Sequence, residues 1–68
     1  MTFDRQIYDG EALRQAAKDY APIARIDVEE KTEGYVCHFH DCRYDRELTR
    51  MEFANYALAM TAQRSAAW

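Results

Sequence analysis

The chain has 68 residues, of which 49% are hydrophobic and 31% are charged, and its net charge is −3. A chain of this length forms one domain, residues 1–68, with one small core, and the composition is that of a folded protein rather than a disordered one. The 12 acidic residues are interleaved with 9 basic ones. This pattern argues against nucleic acid as a partner, which requires a face rich in lysine and arginine.

No apolar run is long enough to cross a bilayer, and residues 1–5 lack the basic and apolar regions of a signal peptide. We therefore expect a cytoplasmic protein that does not enter a membrane. In that compartment Cys37 and Cys42 are expected to be reduced.

The first third of the chain predicts a strand followed by a helix. Residues 2–8 read as an edge strand with Phe3 and Ile7 on one face. Asp9 is a suitable N-cap, because its carboxylate can accept from the free amides of the next turn. The helix is expected over residues 11–20, with apolar residues at helical spacing on one side.

Residues 23–30 and 35–42 predict a β-hairpin. Both segments alternate between apolar and polar residues, and the turn between them contains Gly34, which is free to adopt positive φ. One register places apolar residues against apolar ones, and a slip of one residue would place them against charges. Its cross-strand pairs are Val28 with Cys37, Ile26 with Phe39, Asp27 with His38 and Arg25 with His40.

A second helix is expected over about residues 50–65, after a loop at residues 43–48. Thr49 and Glu52 have the spacing of a capping box, in which each side chain bonds the other residue's backbone N–H. Leu48 and Phe53 flank this box as a hydrophobic staple would.

The predicted fold class is α+β with the order β-α-β-β-α, a three-stranded sheet and two helices packed on one face. The connection through the first helix makes the first two strands parallel, and the third strand is expected between them. The uncovered face of the sheet would then carry His38, His40, Val36, Asp27 and Arg25.

Residues 37–42 hold both cysteines and both histidines of the chain. Alternate residues of a strand point the same way, so His38, His40 and Cys42 form a candidate site for zinc or another transition metal, with Asp27 assisting. Cys37 has the opposite parity and is expected in the core. The competing interpretation, which we favour, is that the histidines are half-exposed partners of Asp27 and Arg25.

A catalytic function is not expected. Cys42 beside His40 has the residue types of a thiol nucleophile and its base, but such chemistry also needs a pocket and an oxyanion hole. A domain with two glycines and a single small core has little room for them. The aromatic residues are numerous for this size, and Tyr8, Tyr44, Tyr56 and Trp68 suggest a partner interface.

Several segments resemble the HxsD-like family, the small accessory proteins of His-Xaa-Ser peptide-maturation systems. The matching pieces are residues 7–8, 11–13, 15–17, 23–28 and 52–55, with Arg64 further on. Ala59 stands where an acidic residue is expected, and the Cys37–Cys42 segment is not supplied by the family pattern. The resemblance implies an accessory protein that binds a peptide or an enzyme beside radical-SAM maturases, and it implies no catalytic residues.

The leading functional hypothesis is a small non-catalytic module that contacts a peptide or protein partner through an open sheet face or a free strand edge. Its candidate partner-binding residues are His38, His40, Arg25, Asp27 and Val36. Two alternatives stay open: a metal-binding protein that uses His38, His40 and Cys42, and a structural homodimer whose open faces pack together.

Overall fold

The computed structural model describes residues 1–66, so Trp68 lies outside the described residues. The elements are β1 (Thr2–Asp4), α1 (Gly10–Asp19), β2 (Arg25–Glu30), β3 (Gly34–His40) and α2 (Arg46–Ala66). The three strands form one antiparallel sheet in the order β1-β3-β2. The predicted α+β class, the element order and the central position of the third strand are all confirmed.

The register of the hairpin is the predicted one. Ile26 pairs with Phe39 and Val28 pairs with Cys37 across β2 and β3. Because side chains alternate along a strand, these residues lie together on the covered face, and the charged residues between them face outward. The alternation in the sequence therefore determines which face of the sheet is covered by the helices.

β1 is shorter than predicted, because Asp4 ends it. The Asp4 carboxylate accepts from the Gln6 N–H at 2.7 Å, and the Asp4 carbonyl accepts from the N–H groups of Ile7 and Tyr8 at 3.1 and 2.9 Å. These bonds turn the chain away from the sheet. Ile7 is consequently 55% exposed and does not share the buried face with Phe3, as had been predicted.

α1 begins at the predicted cap, and β2 begins later than predicted. The Asp9 carboxylate accepts from the Ala12 N–H at 3.0 Å. Past the end of α1, the N–H groups of Ile23 and Ala24 both bond the Tyr20 carbonyl, at 2.8 and 2.9 Å. This turn uses the backbone of residues 23–24, so the strand starts at Arg25.

α2 starts four residues before the predicted position, and the predicted capping box does not cap it. Asp45 is the cap: its carboxylate accepts from the Leu48 N–H at 2.9 Å. Thr49 lies within the first turn, 2% exposed, and its hydroxyl donates to the Asp45 carbonyl at 2.8 Å. Leu48 is 52% exposed and forms no buried staple with Phe53.

Both helices pack against the covered face of the sheet, and Phe53 of α2 lies at the centre of the core. Its ring is 5.9 Å from that of Phe3 and 5.4 Å from those of Tyr20 and Phe39, with edge-to-face geometry in each case. On α1 the fully buried residues are small or aliphatic, which brings the helix close to its neighbours: Ala12, Leu13 and Ala16. Edge-to-face aromatic pairs add to the stability that burial alone provides.

Gly34 is required for a different reason from the one predicted. Neither glycine has positive φ. A Cβ atom at Gly34 would instead collide with the backbone carbonyl oxygen of Phe3 on the neighbouring strand. The glycine thus permits close approach of β1 to β3 at the hairpin end of the sheet.

None of the helices within residues 1–66 combines the length and the apolar character needed to cross a membrane.

Candidate functional site

The uncovered face of the sheet carries the predicted partner-binding residues. Arg25 and Asp27 on β2 are exposed, Val36 on β3 is half-buried, and the side chains of His38 and His40 are 49% and 42% exposed. All five side chains have the parity opposite to that of the buried residues of their strands. The structure therefore brings these residues together on one polar surface.

Each histidine contacts a carboxylate diagonally across the hairpin. Asp27 is the direct cross-strand neighbour of His38, yet His38 Nε2 lies 3.2 Å from Glu29 Oε1. His40 is directly opposite Arg25, and its Nε2 lies 3.4 Å from Asp27 Oδ2. Diagonal neighbours are within reach of long side chains on a twisted sheet. The predicted backbone pairs, Asp27 with His38 and Arg25 with His40, are thus confirmed. The predicted side-chain contacts between the same residues are wrong, because each histidine contacts the next carboxylate along β2.

Glu29 is the carboxylate on this face that contacts two basic side chains. It contacts His38 and also Lys31, whose Nζ lies 3.1 Å from Glu29 Oε2. The hydrogen bond from His38 and the interactions with Lys31 lower the pKa of the Glu29 carboxyl below its ordinary value. All three side chains are about half exposed, so solvent screens these pairs and each contributes little to stability.

The predicted metal ligands are not assembled into a site. β3 ends at His40, and Asp41 adopts φ of 54°, which turns the chain. Cys42 is therefore not a strand residue beside the histidines, and it packs instead against the edge of the core. Within residues 1–66 the structure contains no group of three or more His, Cys, Asp or Glu side chains that could hold a metal ion.

Cys37 lies in the core, as its parity predicts. It is fully buried, and this burial raises the pKa of its thiol to about 11. A thiol with such a pKa is almost entirely protonated near neutral pH, and only the thiolate is strongly nucleophilic. The geometry assigns Cys37 a packing role.

The outer edge of β2 is free of strand partners among residues 1–66. Lys31 N–H donates to the Gly34 carbonyl at 2.7 Å, which identifies Lys31 and Gly34 as a hydrogen-bonded pair. Because such pairs alternate along an antiparallel ladder, the odd-numbered residues of β2 bond β3. The backbone N–H and C=O groups of Ile26, Val28 and Glu30 consequently point outward from the sheet.

A cleft of about 280 Å³ lies on the β1 side of the sheet, beside Met1, where β3 extends past the start of β1. It is lined by Met1, Cys37, His38, Phe39, His40, Arg46 and Arg50. No carboxylate is among the lining residues, although the chain as a whole is acidic. Two of the predicted partner-binding residues, His38 and His40, thus also border a cleft that the sequence alone did not indicate.

An exposed apolar stripe on α2 was missed at the level of sequence. Leu48, Met51 and Leu58 are 52%, 59% and 43% exposed, on the helix face opposite to Phe53 and Ala57. Their spacing of three and seven residues is that of one helical face. The spacing of these residues is visible in the sequence, but their exposure depends on which face of α2 packs against the sheet.

Comparison of the chain with protein-family models, with curated proteins and with solved structures gave no significant match.

Proposed function

We propose that this protein is a small non-catalytic module that binds an extended segment of a peptide or protein partner by adding it as a strand to the outer edge of β2. The observation that carries the proposal is the free edge itself. Ile26, Val28 and Glu30 each present one backbone donor and one acceptor in the same direction. Strand addition obtains its affinity from such main-chain groups and its specificity from neighbouring side chains.

The neighbouring side chains lie on the open face and are polar. An added strand would lie beside Arg25 and Asp27, with His38 and His40 one strand further in. This surface offers charges of both signs, and a partner that alternates acidic and basic residues on one face would match it. The half-buried Val36 provides an apolar contact on the same face.

The resemblance to HxsD-like accessory proteins agrees with such a role. We propose that the partner is a component of a peptide-maturation system, either the precursor peptide or its enzyme. We also propose the cytoplasm as its compartment, where both thiols would stay reduced. A radical-SAM enzyme and a short precursor peptide encoded beside this chain would support that assignment, and their absence would count against it.

The proposal is tested with a random linear peptide library selected against the protein. The best binders are measured by calorimetry against the wild type, Val28→Pro and Val28→Ala. Proline removes the outward N–H of Val28 without breaking a ladder bond, whereas alanine removes apolar packing and keeps the N–H. Binding should weaken about tenfold or more in the proline variant and change little in the alanine variant.

Hydrogen exchange supplies the second readout. In the free protein the amides of Val28 and Glu30 should exchange faster than those of Asp27 and Glu29, and a bound peptide should protect them. Binders that leave the amides of Val28 and Glu30 unprotected, or a library that yields no binder, would refute strand addition at β2.

A second candidate, self-association, is favoured by the apolar stripe of Leu48, Met51 and Leu58 rather than by the open sheet face. The open face is rich in charges, and its self-packing would desolvate the pairs of Glu29 and Asp27 with the histidines. Light scattering over a range of concentrations tests it, with Met51→Glu as the variant. A dimer that dissociates in this variant would support the candidate, and a monomer at all concentrations would eliminate it.

A further inference from the structure

α1 covers the strand whose outer edge is free. The ring of Phe53 on α2 contacts those of Phe3 on β1 and Phe39 on β3, so α2 lies over these two strands. α1 packs beside α2 and over β2. Arg14 Nη2 on α1 lies 3.4 Å from Oε1 of Glu30, the last residue of β2. α1 therefore borders the free edge on the helix-covered side of the sheet.

The flank of α1 that carries Arg14 also carries Lys18. The two residues are four apart, so they are neighbours on the helix surface. The side of α1 that faces α2 is a different one, since it carries Asp19, which accepts from the Tyr56 hydroxyl. Between Arg14 and Lys18 lies Ala17, which is half-buried against the core. A strand added to β2 would lie alongside this flank.

Positive charge without an acidic partner lies at one end of the free edge. Lys18 and Arg25 are both exposed, and among residues 1–66 neither has a carboxylate within ion-pair distance. Residues 19–24 connect them, and the turn in this segment places both at the end of the sheet where β2 begins. The acidic residues Glu29 and Glu30 lie at the other end of β2 and already contact basic side chains.

Lys18 and Arg25 border the edge on opposite sides of the sheet. Lys18 belongs to a helix on the covered face. Arg25 is exposed on the open face, because its parity is opposite to that of the buried Ile26. Successive side chains of a strand point to opposite faces, so two consecutive residues of an added strand would each face one of these cations.

We propose that the strand added to β2 carries two consecutive acidic residues near the start of β2. One carboxylate accepts from the Lys18 ammonium group, and the next accepts from the Arg25 guanidinium group. The site is the β2 edge of the proposed function, on which the proposal rests, and the acidic pair specifies the chemistry of the partner.

Apolar residues on the helix side of the added strand complete the pattern, since Ala17 and Val28 are half-buried there. An extended peptide matches this edge better than a nucleic acid does. The edge supplies backbone donors and acceptors as well as charge, and its far end, at Glu29 and Glu30, is acidic.

Four acetylated and amidated hexapeptides test the proposal. Their sequence is Val-Thr-X-X-Val-Thr, where the two central residues are Glu-Glu, Gln-Glu, Glu-Gln or Gln-Gln. Valine should lie on the helix side, which fixes the faces of the two central residues. Affinities are measured by NMR titration at low salt with the wild type, Lys18→Gln and Arg25→Gln.

Two further variants are controls. Arg46→Gln/Arg50→Gln removes two charges from α2, on the β1 side of the sheet. Lys18→Arg/Arg25→Lys retains both charges at the β2 edge.

The Glu-Glu peptide should bind the wild type about tenfold tighter than the Gln-Gln peptide, about threefold for each carboxylate, as exposed ion pairs allow. It should shift the amide signals of Val28 and Glu30. Lys18→Gln should abolish the advantage of the first glutamate, on the helix side, and Arg25→Gln that of the second. Both advantages should persist in the two control variants and decrease at high salt.

Equal affinity of the Glu-Glu and Gln-Gln peptides, or an advantage that falls equally in Arg46→Gln/Arg50→Gln, would overturn the acidic pair. If both peptides then still shift the Val28 and Glu30 amides, strand addition stands without it, so the two proposals fail separately. Should none of the hexapeptides bind, the binders selected from the random library decide. Enrichment of adjacent acidic residues among them would support the proposal, and binders without such enrichment would overturn it.

Discussion

Tyr56 donates a hydrogen bond of 2.5 Å from its hydroxyl to Asp19 Oδ2, and this bond joins the middle of α2 to the last residue of α1. Gln15 donates to the other carboxylate oxygen at 3.0 Å. The bonds from Tyr56 and Gln15 lower the pKa of Asp19, and the bond to Asp19 raises the pKa of Tyr56. The two shifts have opposite signs because the bond requires an ionised carboxylate and a protonated phenol.

Replacement of Tyr56 by phenylalanine should therefore destabilise the protein most near neutral pH. Because the pKa of Asp19 is lowered, the bond stabilises the protein at pH values above the ordinary carboxyl range. This stabilisation is lost as the pH falls through the pKa that Asp19 has in the folded protein. Because the pKa of Tyr56 is raised, the bond also stabilises the protein at pH values below the ordinary phenol range. This stabilisation is lost as the pH rises through the pKa that Tyr56 has in the folded protein. Urea unfolding at acidic, neutral and alkaline pH measures the difference from the wild type, with Tyr44→Phe at an exposed tyrosine as control. A difference that is independent of pH would contradict this account.

The start of α2 can be tested by comparing its observed cap with the predicted one. Asp45→Ala should lower the free energy of unfolding by about 1 kcal/mol, because it removes the acceptor of the Leu48 N–H. Glu52→Gln should change it by less than about 0.5 kcal/mol, since Glu52 is exposed and reaches no cap. Thermal or urea unfolding distinguishes the two. A larger loss of stability in Glu52→Gln than in Asp45→Ala would show that the predicted capping box of Thr49 and Glu52 caps α2.

The elements that the sequence predicted well are those in which local and long-range signals agree. The hairpin is the clearest case: the alternation of Ile26 and Val28 matches that of Cys37 and Phe39, and the turn allows the same register. α2 shows the opposite case. Asp45 and Thr49 are both good caps by residue type. The choice between them depends on the burial of Thr49 against the core, which no local pattern records.

The candidate sites were predicted only in part, for a similar reason. Parity placed His38 and His40 on the open face, because it depends on one strand alone. The turn at Asp41 removed Cys42 from that face, and a positive φ at a non-glycine residue is not visible in the sequence. The contribution of Arg46 to the cleft follows from where α2 starts, and helix boundaries are what sequence patterns determine least well.

Gly34 should tolerate no side chain. Gly34→Ala places a Cβ against the Phe3 carbonyl, which is backbone and cannot rotate away, so β1 must move. We expect a loss of about 1–3 kcal/mol, the usual cost of overpacking. Glu33→Ala, one residue earlier in the exposed turn, is the matched control and should be nearly neutral. Urea unfolding provides the measurement, and equal stability of the two variants would show that β1 does not approach β3 as closely as described.

The two thiols should differ strongly in reactivity. At about pH 8 a disulfide reagent should modify the half-buried Cys42 first and Cys37 at least about 100-fold more slowly, because Cys37 is fully buried and reacts only when the core opens. Burial raises the pKa of Cys37 to about 11, partly offset by the amino group of Met1. Since the unfolded thiol ionises near 9, stability should fall as the pH rises above that value.

The variants Cys37→Ala and Cys42→Ala assign the two reaction phases, and a reaction in strong denaturant is the control, in which both thiols should react at similar rates. Cys42→Ala should remove the fast phase, and the difference in unfolding at increasing pH between this variant and Cys37→Ala/Cys42→Ala isolates the effect of Cys37. Rapid modification of Cys37 in the native protein would show that the core around this thiol opens far more often than a stable core allows.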